Sequence, residues 1–280
     1  MPDSPALPPL PTLHGAWVRA PSSTPSGVVL FLHGILGTGG NLRGLAQALV
    51  QAEPTRAALL VDLRLHGRSR ERAGPHDVGA CARDLEALEA TLDLPIVGVV
   101  GHSFGGKVAL AFHAARPALE RVALLDSAPG ARPDRAGSEE TMAVIAMLEQ
   151  LPSHFARRED FVAHVHEHGH ARGIAEWLAM NLTRTDDGFT FGVDLAGIKE
   201  LLDSYFSLDL WPVIEGSRAP RFDVVIGLRS RVWDEHDRAR IEAIAAQKEG
   251  ALHVHALPAS GHWVHVDDPA GVRAALVNPR

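Results

Sequence analysis

A doubly wound α/β sheet is the fold class predicted by this sequence, and three observations predict it. Runs that are apolar throughout recur along the first half: VVLFL at 28–32, AALLV at 57–61 and IVGVV at 96–100. Strands of that kind belong to a parallel sheet covered on both faces. Between them lie segments whose apolar residues recur at helical spacing. Glycine-rich turns, HGILGTGG and GHSFGG, close two of the runs. Strand alternating with helix puts helices on both faces of one sheet, and ligands on such sheets sit at the carboxyl ends of the strands.

Each element follows in order. The start, MPDSPALPPLPTLHG, is broken by prolines and lacks a basic segment and an apolar core, so it reads as a loose lead-in and not a secretory signal. After strand 28–32, Leu42, Leu45, Ala46, Leu49 and Val50 trace one helix face. After strand 57–61, Val78, Cys81, Leu85, Leu88 and Leu92 trace the next, with Cys81 an inert packed thiol. Strand 96–100 leads into a helix over 104–116, stopped by Pro117, and VALL at 122–125 is a strand again. Residues 131–219 change character. Helical patterns follow one another at 139–151, 160–168, 174–182 and 195–206, with a hairpin turning at Asp187-Gly188 before Phe189-Thr190-Phe191. This predicts a helical cap at 131–219, inserted into a core of 1–130 and 220–280. The α/β rhythm resumes with strand 223–226, a helix over 234–247, strand 252–256 and a last short helix.

Composition excludes several functions. The 280 residues are enough for one large domain with an insertion, able to bury a full core. A net charge of −7 argues against binding nucleic acid or an anionic membrane. A single cysteine, Cys81, excludes an internal disulfide and a thiolate metal cluster, and fits a reducing cytoplasm. No apolar stretch is long enough to span a bilayer.

The strongest chemical signal is Gly101-His102-Ser103-Phe104-Gly105, a G-x-S-x-G turn between strand and helix. A nucleophile there is held in a strained conformation and needs small neighbours, which Gly101 and Gly105 supply. Ser103 is the expected nucleophile, at a helix start whose N–H groups favour a developing anion. The plainer alternative is a glycine-rich turn with a capping serine. An oxyanion hole needs one N–H from the residue after the nucleophile, Phe104, and one from the loop after an earlier strand, here Ile35 after His33-Gly34. His33 itself reads as a structural hydrogen-bonder. A serine needs a base to take its proton. Among sixteen histidines, His262 stands out in Ser260-Gly261-His262-Trp263, on a loop after the last strand, with His265 its nearest rival.

HGILGTGGN, VDLRLHGRS, VGHSFGGKVAL and SGHWVHVDDP, in that order, resemble the motifs of the α/β-hydrolase family. The likeness is strongest to small bacterial esterases related to the mitochondrial abhydrolase-domain proteins. It runs from about residue 14 to the end and is weakest through the cap. It implies an α/β-hydrolase fold: a mostly parallel, eight-stranded sheet, a helical cap after the sixth strand, and a Ser-acid-His hydrolase without cofactor. The acid departs from the commonest pattern, in which an Asp stands three residues after the glycine that ends the seventh strand. Here Gly227 is followed at that position by Ser230. Asp126, ending the strand after the nucleophile turn, is the preferred substitute, and parts of the family place the acid there. Asp234 is the second candidate, although it also suits a helix cap.

Weaker signals have plainer readings. The stretch Asp62-Leu63-Arg64-Leu65-His66-Gly67-Arg68-Ser69 is expected to brace loops. His164, His166, His168 and His170 form a solvated cap face and not a zinc site, because no carboxylate or cysteine motif completes a ligand set. Lys107 is expected as a surface or loop-bracing charge. Trp177, Met180, Phe189, Phe191, Tyr205, Phe206 and Trp211 pack the cap, a few of them lining an acyl pocket. The expected protein is a cytoplasmic serine esterase for small, uncharged esters or thioesters, with no metal or cofactor and its oligomeric state open. Its rivals are perhydrolysis, C–C hydrolysis or lyase chemistry on the same site, or a non-catalytic ligand binder.

Overall fold

The computed structural model describes residues 13–248 and 250–277, so the lead-in and the missing secretory signal expected of the N-terminus lie outside the described residues but for its last positions. The chain runs through Gly15–Val18 (β1), Gly27–Leu32 (β2), Arg43–Ala52 (α1), Arg56–Val61 (β3), Val78–Glu89 (α2), Ile96–His102 (β4), Phe104–Ala115 (α3) and Arg121–Leu125 (β5). It continues through Glu139–Leu148 (α4), Arg158–Glu167 (α5), Arg172–Leu178 (α6), Leu182–Thr185 (β6), Gly188–Phe191 (β7), Leu195–Ser207 (α7) and Trp211–Gly216 (α8). Arg221–Gly227 (β8), Glu235–Gln247 (α9), Leu252–Leu257 (β9), Val264–Asp267 (α10) and Pro269–Val277 (α11) complete it.

The main sheet has the order β1-β3-β2-β4-β5-β8-β9. Every neighbouring pair is parallel except β1 on β3, which is antiparallel at the edge. Every residue of β2 and β5 is buried, as the uninterrupted apolar runs require. Alternate side chains feed two cores. Val29 and Phe31 meet Leu45, Leu49 and Val272 of α1 and α11 on one face. Val28, Leu30 and Leu32 meet Cys81, Leu85, Val108 and Phe112 of α2 and α3 on the other.

Seven strands are described in this sheet, where the resemblance implied eight. Among the described residues, five strands of this sheet, β1 to β5, precede the insertion. The insertion of α4 to α8 with the β6–β7 hairpin therefore follows the fifth strand, not the sixth. The helix expected over 174–182 ends at Leu178, and a 3-10 turn at Ala179–Asn181 leads into β6. The pairing of Thr183 with Thr190 and Arg184 with Phe189 explains the early stop, since β6 is held by β7. The hairpin turns at Asp187-Gly188 as expected. Strand β1 and helix α8 carried too short a pattern to be read from the sequence.

Candidate active site

Ser103 stands between β4 and α3 with φ +52° and ψ −118°, a conformation that L-residues rarely hold. Its main chain is fixed by an N–H bond to the Leu125 carbonyl (3.0 Å) and by the Ser127 hydroxyl on its own carbonyl (2.7 Å). The flanking glycines are demanded by space. A Cβ on Gly101 would run into the Gly105 carbonyl, and one on Gly105 into the Leu32 carbonyl.

His262 follows β9. Its Nε2 lies 2.9 Å from the Ser103 hydroxyl, and its Nδ1 lies 2.8 Å from Asp126 Oδ2. With Nδ1–H donating to the carboxylate, Nε2 is left to accept from the serine. The loop is held by the Arg229 N–H on the Ser260 carbonyl and by Gly261 N–H on Asp267. Asp126 is fully buried, just past β5, at φ +45°. A buried carboxylate needs donors. Besides His262 it has the Gly227 N–H (3.1 Å) and the Ser230 hydroxyl (2.6 Å). The serine that fills the usual acid position thus donates to the acid that replaces it. Asp234 is elsewhere: it caps α9 by accepting from the Asp237 N–H (2.8 Å) and pairs with Arg132 (3.0 Å). The cap bond holds its carboxyl below the ordinary carboxylate range.

The loop after β2 faces the same serine. In it the Leu36 N–H donates to His66 Nε2 (2.9 Å), and the Gly37 N–H to the Gly34 carbonyl (3.0 Å). For the N–H groups of Ile35 and Phe104 no partner occurs among the described residues, and both residues border the space beside Ser103. His33 accepts from the Leu63 N–H (3.0 Å). Burial pushes the pKa of His33 down to about 4 and that of His66 down to about 3, so both are neutral braces. Asp62 joins the bracing by accepting from Gly39 and Arg68 N–H groups. The motif around Asp62 to Ser69 thus supports the loop that carries Ile35.

Two clefts meet at Ser103 and His262. One is apolar, bordered by Leu36, Leu42, Val144, Ile174, Trp177 and Trp263, with free volume of about 60 Å³. The other is larger, about 390 Å³, and more polar, bordered by Glu139, Thr141, Tyr205, Arg229 and Arg231. The insertion supplies a wall of each. It is tied to the core at Asn181, whose side-chain amide donates to the Leu36 carbonyl (2.8 Å). It is tied again at Lys107, expected from the sequence as a surface or loop-bracing charge. Lys107 is buried in α3, and its Nζ donates to the carbonyls of Gly130 (2.8 Å), Tyr205 (2.6 Å) and Leu208 (2.8 Å). The signal was available: a lysine in a helix apolar all round has no surface to reach. Ser230 and His102 were also missed as contributors, since a serine in place of an acid reads only as a loss. His164 and His168 lie side by side (4.2 Å between ring centres), yet no group of three possible metal ligands occurs among the described residues.

The profile of the alpha/beta hydrolase family matches residues 29–275. The sn-1-specific diacylglycerol lipase ABHD11 of Mus musculus is 30% identical over 264 residues, 89% of this chain and 80% of that protein. Esterase YbfF of Escherichia coli is 27% identical over 249 residues, 89% of this chain and 91% of its own. Among solved structures, a marine microorganism esterase superposes with a TM-score of 0.80 at 23% identity, covering 96% of this chain and 99% of its own, a likeness of fold. With its profile matched over most of its length and its sheet wound as described, this chain belongs to the alpha/beta hydrolase family.

Proposed function

We propose that the protein is a serine-type carboxylic ester hydrolase working through an acyl-enzyme. The observation that carries this reading is the unbroken line of hydrogen bonds from Ser103 to His262 to Asp126. In it, the Ser103 oxygen attacks the ester carbonyl carbon while His262 Nε2 takes its proton. Asp126 holds the imidazole in the right tautomer and stabilises its charged form. The oxyanion sits between the N–H groups of Ile35 and Phe104, where loss of one donor typically costs ~10²–10³ in rate. The ester C–O bond breaks as His262 returns the proton to the leaving oxygen. Water, activated by the same nitrogen, then frees the acid and restores Ser103.

Residues 131–219 act as the cap over a core of 1–130 and 220–280, in keeping with the cleft walls they contribute. The substrates are small-molecule esters or thioesters whose acyl part lies in the apolar cleft, and the reaction needs no metal. The single free thiol, Cys81, supports a cytoplasmic setting. No helix among the described residues is long and apolar enough to cross a membrane.

The test is Ser103→Ala. Nitrophenyl ester turnover and labelling by a fluorophosphonate probe should both vanish, with the circular dichroism unchanged. Full turnover in that variant would falsify the reading.

A further inference from the structure

We infer that His102 is a positioning residue that joins nucleophile, oxyanion loop and proton-accepting histidine into one rigid unit. The inference rests on reading Ser103 and His262 as the reacting pair. His102 ends β4, covalently next to Ser103, and is almost fully buried. Its Nε2 lies 2.9 Å from the main-chain carbonyl of His262. A carbonyl oxygen only accepts, so Nε2 carries the proton and donates. The other ring nitrogen is packed against the oxyanion loop: a Cβ on Gly34, the residue before Ile35, would lie 3.0 Å from Nδ1. The ring is confined from outside by His265 (4.6 Å between ring centres) and Trp263 (5.9 Å). Burial, with His265 and His262 beside it, holds the His102 pKa well below the ordinary value, so the ring stays neutral.

The consequence for His262 follows from where each bond acts. Asp126 grips its side chain, and that bond sets the imidazole's place only if the main chain beneath it is fixed. His102 fixes that main chain, and does so from the residue bonded to Ser103. Nucleophile and base are thereby referred to the same strand end, and the loop carrying Ile35 packs on the same ring.

The test uses the full chain with two substitutions. His102→Phe keeps a ring but has no donor, and His102→Gln returns an N–H near the position of Nε2. His102→Phe is expected to lower kcat for a nitrophenyl ester ~10–100-fold, the size of effect that a misplacement of about 1 Å produces, with KM changed less than about twofold. His102→Gln is expected to recover most of kcat. A readout independent of turnover is the downfield proton resonance of the His262–Asp126 hydrogen bond. It should be present in the parent and in His102→Gln, and broadened or lost in His102→Phe. If His102→Phe does not fold, His102→Met, also without a donor, takes its place. Parent-like kcat and an undisturbed resonance in the donorless variant would overturn the inference. So would His102→Gln as impaired as His102→Phe, since the ring and not its N–H would then matter. A parent that turns over no ester overturns the reading of the site instead, and the resonance still decides on His102.

Discussion

Asp126 is fully buried and takes its donors from three places: the His262 ring, the Gly227 N–H and the Ser230 hydroxyl. A neutral amide at that position no longer holds the imidazole tautomer or its charged form. Asp126→Asn is therefore expected to lower kcat by ~10²–10⁴, measured with a nitrophenyl ester. Ser230→Ala removes one of the three donors and leaves the other two, so its kcat should fall by less than that of Asp126→Asn. Equal losses would mean that Ser230 does more than brace the acid. Asp234→Ala should leave kcat unchanged and cost about 1 kcal/mol in urea unfolding, because the Asp234 carboxylate only caps α9 and pairs with Arg132. An Asp234 variant without activity would contradict the assignment of the acid.

At the scale of elements, the insertion and α3 are joined by one buried ammonium. Lys107→Met leaves the carbonyls of Gly130, Tyr205 and Leu208 without their donor. The expected cost is about 2–3 kcal/mol, read as a lower urea midpoint; an unchanged midpoint would show that water replaces the ammonium freely. The apolar cleft belongs to this scale as well, because α6 and the loop after β9 close on each other where Trp177 meets Trp263 edge to face (4.7 Å). Trp177→Ala should raise the kcat/KM ratio of octanoyl to butanoyl esters about tenfold or more, the size of effect one or two methylenes have in an apolar pocket. A constant ratio along an ester series would remove Trp177 from the cleft's specificity. What was legible beforehand divides along the same lines. Strands β2 to β5, the turn at Ser103 and the loop at His262 have local signatures: apolar runs, glycines demanded by close packing, a polar residue at a strand end. The bracing of Asp126 by Ser230 and the carbonyls that Lys107 reaches on the insertion depend on partners far along the chain. Neither periodicity nor motif spacing carries that information.

For the whole molecule, the number of histidines gains meaning from where they lie. His33 and His66 brace one loop over the strand ends, and His102 and His265 pack together beside His262. All four are held below the ordinary imidazole range, chiefly by burial: His33 and His265 at about 4, His66 at about 3, His102 well below. His33 and His66 also accept main-chain N–H groups, which a protonated ring cannot do. Their unfolded counterparts titrate near 6.5. Below that pH the unfolded chain binds protons that the native one refuses, so stability rises with pH and is lost as pH falls from about 6.5 toward about 4. Each imidazole contributes a slope approaching ~1.4 kcal/mol per pH unit in that window. Near pH 5, unfolding should therefore take up about three to four protons through these groups alone. Urea midpoints at pH 7.5, 6.0 and 5.0 test this. A fall is expected already between the first two, where the unfolded imidazoles begin to take up protons, and a steeper fall per pH unit to the third. A midpoint flat down to pH 5.0 would mean that the native protein accommodates these rings in their charged form, and the neutral bracing of the strand-end loops would have to be abandoned.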